Sequence, residues 1–397
     1  MATGFLVVIY LAFISLGLPD PMLGAAWPLM QVDFGAPLEA AGAVSMVISG
    51  GTILSSLLSG RLIARFGNGR LTLFSVILTA AALVGFALAP SFGWLVVLAV
   101  PYGLGGGAVD AALNNYVAAH YESRHMSWLH AFWGVGTMIG PMALSALIAG
   151  GLSWRSGYWA VAGFQTMLVL ILIFTLPLWG KVAKLNPNKF TGEADEAQGS
   201  RVTIPQAIKI PGVKLAMLAF LFYCGVETTV MLWGASYLIQ MRGIDAATAA
   251  QGSAAFFAGI TAGRILSGFL TMKLSNKRLI WLGVAGIIVG VALLLIPGGA
   301  GLAMAGFFML GLGCAPIFPC MLHETPVRFG IAASQTVMGM QTATAYTGST
   351  LLPPLLGVIA SCVSLQIFPF VLLGYALALG VCTACINRNL ARKGAGA

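Results

Sequence analysis

Stretches of about twenty or more apolar residues recur twelve times along this chain, and a helix of that length is what crosses the hydrocarbon core of a bilayer. They fall at about 4–30, 40–63, 71–90, 93–119, 127–150 and 157–180, and again at about 213–240, 247–272, 279–297, 300–323, 332–360 and 365–386. Only 8% of the residues are charged, against roughly 25% in a soluble domain. Such a chain cannot cover its surface in water, which excludes a water-soluble enzyme, a nucleic-acid binder and a disordered scaffold. Shared among twelve spans, 397 residues leave about 33 for each span and its connection, too few for an extramembrane domain. The expected fold class is therefore an all-α membrane protein with twelve transmembrane helices. The first stretch has no basic residues ahead of it and outlasts a signal peptide's apolar core, so it is read as a span.

The twelve stretches divide six and six. Residues 1–180 and 213–397 form the two expected bundles, and 181–212 the linker, marked by Lys181, Lys184, Lys189, Arg201 and Lys209, by Glu193, Asp195 and Glu196, and by Pro187 and Pro205. It reads as a loop with room for a short surface helix. With the N-terminus inside, eighteen of the twenty Lys and Arg residues lie at cytoplasmic ends, and only Arg155 and Arg242 lie outside. The positive-inside rule thus puts both termini in the cytoplasm, and the expected location is the inner (plasma) membrane. The net charge of +9 has the same explanation, so no nucleic-acid partner is implied. The six cysteines lie in apolar stretches and read as packing residues, with no metal or other cofactor expected.

A shift of 208 residues brings two parts of the sequence into register. Leu58, Ser59, Gly60, Leu62, Arg65, Asn68 and Arg70 meet Leu266, Ser267, Gly268, Leu270, Lys273, Asn276 and Arg278; Gly103 to Gly105 meet Gly311 to Gly313, and Gly140 meets Gly348. One constant offset across three helix pairs points to duplicated halves. Parallel six-helix repeats of this kind resemble the major facilitator architecture, whose halves enclose a site at the bilayer midplane. The segment from Gly60 through Arg65 and Gly67 to Arg70 resembles that superfamily's cytoplasmic gate motif, with Ala64 where the family usually has an acid. Gly268, Lys273 and Arg278 form the second copy.

Four acids, Asp20, Asp110, Glu227 and Glu324, fall inside or at the edge of the spans. A carboxylate at the bilayer centre costs about 2.5–3.5 kcal/mol on insertion scales. Glu324 is expected to form an ion pair with Arg328 at a loop edge. Spans one, four, five and seven hold no Lys or Arg at depth, so Asp20, Asp110 and Glu227 cannot all be neutralised by salt bridges there. The alternatives are proton coupling, a cation site, or a protonated acid serving as a structural donor.

Around these acids lie further polar and aromatic groups. Asp20 stands between Pro19 and Pro21, which displace the helix and free carbonyls, with Trp27 seven residues on. Gly103, Gly107, Asp110 and Asn114 share one stripe of span four. His130, Trp133, Thr137 and Pro141 share another on span five, and Glu227 precedes Trp233 and Tyr237, expected to stack on each other, in span seven. Gln341 and Tyr346 add polar groups in span eleven. Trp27, Asn114, His130, Trp133, Trp233, Tyr237, Gln341 and Tyr346 are accordingly the candidate substrate contacts, suited to a polyhydroxylated ligand that pairs with amides and carboxylates and lies against an indole.

Three segments resemble the fucose permease-like sugar symporters of the superfamily: Gly17 to Pro28, Leu129 to Pro141, and Tyr223, Gly225 and Glu227 followed by Trp233 and Tyr237. The resemblance implies proton-coupled uptake of a sugar, with the proton gradient as the energy source. The sequence holds no paired-Asp, H-E-x-x-H or G-x-S-x-G arrangement, so no enzyme is expected; the expected state is a monomer, with small-molecule substrate, protons and the bilayer as partners. It implies that Asp20 and Asp110 are coupling or sugar-binding groups. The rival reading is a proton/drug antiporter, favoured by Gly136 to Pro141 but lacking the glycine pair that should follow Pro141, where Met142 and Ala143 stand. A lipid flippase on the same fold is a further alternative.

Overall fold

The computed structural model describes residues 2–121, 123–185 and 202–394, and its secondary structure there is helical, with no strand among the described residues. Among the described residues, twelve helices are long and apolar enough to cross a membrane: Gly4–Phe34, Ala40–Ser59, Arg61–Leu88, Phe92–Val117, Trp128–Ala149, Trp154–Leu185, Val213–Arg242, Ala246–Leu270, Asn276–Leu295, Ala300–His323, Thr336–Cys362 and Leu365–Asn389. These are spans one to twelve below. Contacts separate two units. One holds spans one to six and Asp245–Ala254; the other holds span seven, the remainder of span eight, and spans nine to twelve.

Three boundaries differ from the sequence reading. The loop expected between spans two and three shrinks to a kink, because helical structure runs from Ala40 to Leu88 and is broken only at Gly67, φ 76° and ψ 158°. A positive φ of that size is open to glycine and strained for other residues, which explains Gly67 in the motif. Span ten is interrupted between Cys314 and Ile317, beside Pro316. Span six continues through Lys181 and Lys184 to Leu185, so the linker begins later than expected. Residues 186–201 of the linker lie outside the described residues. Beyond them Thr203 opens the short helix Ile204–Ala207, its amide donating to the Gln206 side chain at 2.9 Å.

In the first unit, Phe5, Ile9 and Phe13 of span one pack against Val109, Leu113 and Tyr116 of span four and Leu168, Leu172 and Trp179 of span six. In the second, Val213 and Ala216 of span seven pack with Val337 of span eleven and Ile386 of span twelve. Within each unit, helices meet backbone to backbone through glycines, the geometry that small residues permit in membranes. A Cβ at Gly103 would overlap the carbonyl oxygen of Ile48, and one at Gly311 that of Phe256. Both contacts recur 208 residues apart. So does a polar contact: the Asn68 amide donates to Asn115 at 3.3 Å, and Asn276 pairs with His323 at 3.2 Å. The duplication seen in sequence is thus a duplication of packing.

The two arginines outside the charge pattern, Arg155 and Arg242, both close helix ends. Arg155 pairs with Asp33, lies over the Trp154 ring at 4.4 Å, and donates to the carbonyl of Ala89 at the end of span three. Arg242 donates to the carbonyls of Leu294 at 2.7 Å and Gly298 at 2.9 Å, at the end of span nine. Cations there satisfy orphan carbonyls and complement the helix dipole.

Gly103→Ala and Gly311→Ala should each destabilise the purified protein by about 1–3 kcal/mol, the cost of overpacking. Gly163→Ala, whose Cβ meets open space, should be neutral or stabilising by about 0.5–1 kcal/mol. Thermal unfolding in detergent checks this; equal effects at all three positions would contradict the packing described.

Candidate functional site

The two prolines in Leu18-Pro-Asp-Pro-Met22 end the helix Ala2–Gly17, and a second helix, Met22–Phe34, resumes after a turn. Pro19 has no N–H, so the Ser15 carbonyl four residues earlier loses its helical partner. Gln165 of span six replaces it, donating to Ser15 at 3.0 Å, and the Thr79 hydroxyl of span three donates to the Gln165 carbonyl at 2.9 Å. All of this lies buried, where an unpaired carbonyl is costly. The Gly17 carbonyl, orphaned by Pro21, accepts from the Asp20 amide at 3.3 Å. The break is thereby held open, and Asp20 is turned away from a regular helical position.

Span five lies directly against span one. A Cβ on Gly17 would overlap the Trp133 carbonyl, one on Gly136 the Ile14 carbonyl, and one on Gly140 the Leu18 carbonyl. That approach brings the Trp133 indole onto Asp20, where its N–H donates to Oδ2 at 2.9 Å, while the Tyr102 hydroxyl of span four donates to Oδ1 at 3.5 Å. Both carboxyl oxygens of Asp20 are therefore met by neutral donors. Asp110 accepts from the Asn114 amide at 2.9 Å, as the stripe on span four leads one to expect, and lies within electrostatic reach of Asp20. Among the described residues neither acid forms an ion pair. Like charges in a medium of low dielectric repel strongly.

Several expected contacts lie elsewhere. Trp27 is fully buried and its indole N–H donates to the Leu38 carbonyl at 3.0 Å, so it is a core residue. Trp233 is likewise fully buried, donating to the Pro353 carbonyl at 2.7 Å. Tyr237 stacks on Phe368 at 5.0 Å, not on Trp233, and its hydroxyl donates to the Leu294 carbonyl. Gln341 is buried and accepts from Thr325 at 2.9 Å. In each case an amphipathic side chain has spent its polar atom inside the protein, which withdraws it from contact with a solute. His130 is exposed, its ring edge-on to Phe13 at 5.7 Å, and Tyr346 is exposed in span eleven.

Glu227 is half-buried in span seven and has no hydrogen bond or ion pair among the described residues. Tyr223 and Cys314 lie in electrostatic reach of both Glu227 and Arg264. Arg264 stands six residues before the end of the helix Ala246–Leu270, deeper than a helix-end charge. The second unit thus holds a cation in the neighbourhood of its acid, and among the described residues of the first no cation is found beside Asp20 or Asp110. Glu324 does pair with Arg328, at 3.4 Å, in the connection between spans ten and eleven as expected, and both side chains are buried there. Burial pushes the Arg328 guanidinium below its ordinary range, and Glu324 opposes that shift.

At the motif, Gly60 lies within the helix, Arg65 is exposed with its guanidinium 5.5 Å from the Phe66 ring, and Arg70 is exposed. Gly268, Lys273 and Arg278 occupy the second copy, Lys273 and Arg278 at the turn between spans eight and nine. The residues that the sequence reading overlooked are Tyr102 and Gln165. A lone glutamine in the apolar span six was the available signal for the latter.

The sequence pattern of the Major Facilitator Superfamily matches residues 9–353. The chain is 27% identical to the membrane protein MosC of Rhizobium meliloti, over 87% of this chain and 80% of that one. It is 24% identical to the glucose/mannose transporter GlcP of Bacillus subtilis, over 79% and 77%. The fold matches a crystal structure of the peptide transporter POT with a TM-score of 0.79 at 14% identity, covering 98% of this chain and 95% of that one.

Gln165→Leu should lower stability by about 1–3 kcal/mol, the penalty for a buried carbonyl left without a donor. Thermal unfolding in detergent measures it; an unchanged midpoint would show that the Ser15 carbonyl does not depend on Gln165.

Proposed function

The chain belongs to the Major Facilitator Superfamily, and on that premise we propose that it is a proton-coupled secondary transporter of a small polar solute, a sugar foremost, working by alternating access in the inner membrane with both termini in the cytoplasm. The observation that carries this reading is the Asp20 and Asp110 pair, which forms no ion pair among the described residues and is met by neutral donors. A carboxyl so placed is served by Trp133, Tyr102 and Asn114 whether protonated or ionised, because an indole and a phenol can hold either form and an amide both donates and accepts. Binding a proton removes a charge from an apolar setting; losing it restores repulsion between the two acids. That difference is the means by which proton movement is tied to the substrate cycle.

The sugar part of the reading rests on chemistry and on likeness. Carboxyls beside an indole, a phenol and an amide suit a hydroxyl-rich ring, whose O–H groups pair with the acids and whose C–H face lies on an aromatic. The likeness to a glucose/mannose transporter supports the same substrate class. With Trp27, Trp233, Tyr237 and Gln341 in the core, the substrate contacts proposed are Asn114, His130 and Trp133 in the first unit and, in the second unit taken by itself, Tyr346. The family and these relatives are transporters, and no enzymatic step is proposed.

In proteoliposomes, Asp110→Asn should abolish uphill accumulation of a radiolabelled sugar under an inward proton gradient while counterflow exchange stays measurable. Equal loss of both would make Asp110 structural. Absence of sugar uptake by the wild type, with proton-driven expulsion of a lipophilic cation, would replace the reading with the drug antiporter.

A further inference from the structure

The first unit contains a cavity of about 500 Å³ at the end of the bundle where the motif lies, and the transport reading makes no use of it. Its walls come from three places: Phe66 to Arg70 at the kink, Tyr116 and His120 at the end of span four, and Leu176, Pro177, Trp179, Gly180 and Ala183 of span six. The lining is mainly apolar with a basic rim. Arg70 belongs to it, and Lys184, one turn after Gly180, falls on the same helical face and is exposed, as is Arg65 at the kink. No Asp or Glu occurs in 60–71 or 176–185. Trp179, 5% exposed, and Asn68 both form part of the wall, and the Trp179 indole N–H and the Asn68 side-chain oxygen have no hydrogen-bond partner among the described residues. One turn toward the bilayer interior, Ile173 and Phe174 are exposed apolar side chains on span six.

The duplication repeats part of this arrangement. A second cavity, about 380 Å³, is lined by Leu274, Lys277, Arg278, Trp281 and Leu282 at the start of span nine. Leu274, Lys277 and Arg278 are the counterparts, 208 residues on, of Phe66, Gly69 and Arg70. The two hollows thus share the arginine and two neighbouring positions of the repeat, while Trp281 and Leu282 correspond to Leu73 and Phe74, which do not line the first.

We propose that the cavity at Arg70 is a binding site for an anionic phospholipid, its phosphate held at the Arg70 and Lys184 rim and an acyl chain laid along Leu176, Pro177 and the exposed apolar face of span six. The charge match supplies selectivity for the headgroup, and the apolar wall distinguishes a lipid from a free anion. In a transporter whose motif hinges on Gly67, a lipid seated here holds spans three, four and six together at the kink. The site takes no part in the proton reading and stands or falls apart from it.

The test is thermal unfolding of the purified full-length protein in detergent micelles doped with phosphatidylglycerol, with phosphatidylcholine, or supplied with inorganic phosphate alone. Phosphatidylglycerol should raise the midpoint of the wild type, while phosphatidylcholine and inorganic phosphate should not. Arg70→Gln should weaken the apparent affinity for phosphatidylglycerol about fivefold, as the loss of one basic contact worth about 1 kcal/mol implies. Gly180→Phe fills the cavity where a Cβ meets open space, and should abolish the shift without altering the midpoint in plain detergent. Gly180→Leu serves if the larger residue prevents folding. Equal stabilisation by phosphatidylcholine, stabilisation by phosphate alone, or a full phosphatidylglycerol shift in both Gly180 variants would each overturn the proposal.

Discussion

Hydrocarbon offers no water to an unpaired backbone group, and the first unit is arranged around one place where that rule is strained. Two prolines two positions apart, Pro19 and Pro21, strip donors from the helix that carries Asp20. A soluble protein would hydrate the freed carbonyls. Here Gln165 and Thr79 form a buried relay that answers the Ser15 carbonyl, and glycines at 17, 136 and 140 let span five close onto the break. The placement of Trp133 on Asp20 follows from that closure, so the chemistry of the site is a consequence of repairing the backbone. Broken helices near intramembrane acids serve transport for this reason: the break aims a side chain into a place that a continuous helix would cover.

What the sequence disclosed depended on the kind of signal. Hydropathy placed all twelve spans, and all their ends but the start of span three within about five residues, because the bilayer imposes a length and an exclusion of charge that neighbouring helices do not alter. The repeat was legible because duplicated packing requires glycine at particular heights, as Gly103 and Gly311 show. The stripe of Asp110 and Asn114 was legible because helical periodicity alone puts them one turn apart. Trp27, Trp233, Tyr237 and Gln341 were misjudged for a shared reason. An aromatic or amide side chain in an apolar helix has the same local sequence whether its polar atom meets a solute or a carbonyl from a distant span. Only the identity of the partner decides, and Leu38, Pro353, Leu294 and Thr325 are far from what local spacing can reveal. Arg264 escaped for the opposite reason, since counting it with the helix-end charges hid its depth.

The halves share a scaffold and differ in chemistry. Gly140 meets the Leu18 carbonyl, and its repeat partner Gly348 meets that of Leu221, which sets Tyr223 at the position of Asp20. Along span four the partner of Asp110 is Phe318. The Tyr223 and Phe318 rings lie 5.9 Å apart, so an aromatic pair stands in the second unit where a carboxyl pair stands in the first. Glu227 follows one turn later, with Arg264 within reach of the same neighbours. Duplication thus preserved the glycine contacts that hold helices together and released the positions they frame.

That division bears on how protons and solute are handled. Two acids that form no ion pair among the described residues change charge at the expense of mutual repulsion, whereas Glu227 shares its surroundings with Arg264. On the proposed reading the first unit is the proton-responsive one. Glu227 then belongs to a fixed electrostatic framework around Tyr223 and Cys314, and its contribution is to position groups that meet the solute. A duplicated scaffold makes this separation straightforward, because changing Asp to an aromatic at two equivalent places alters the charge of one unit without disturbing the backbone contacts common to both.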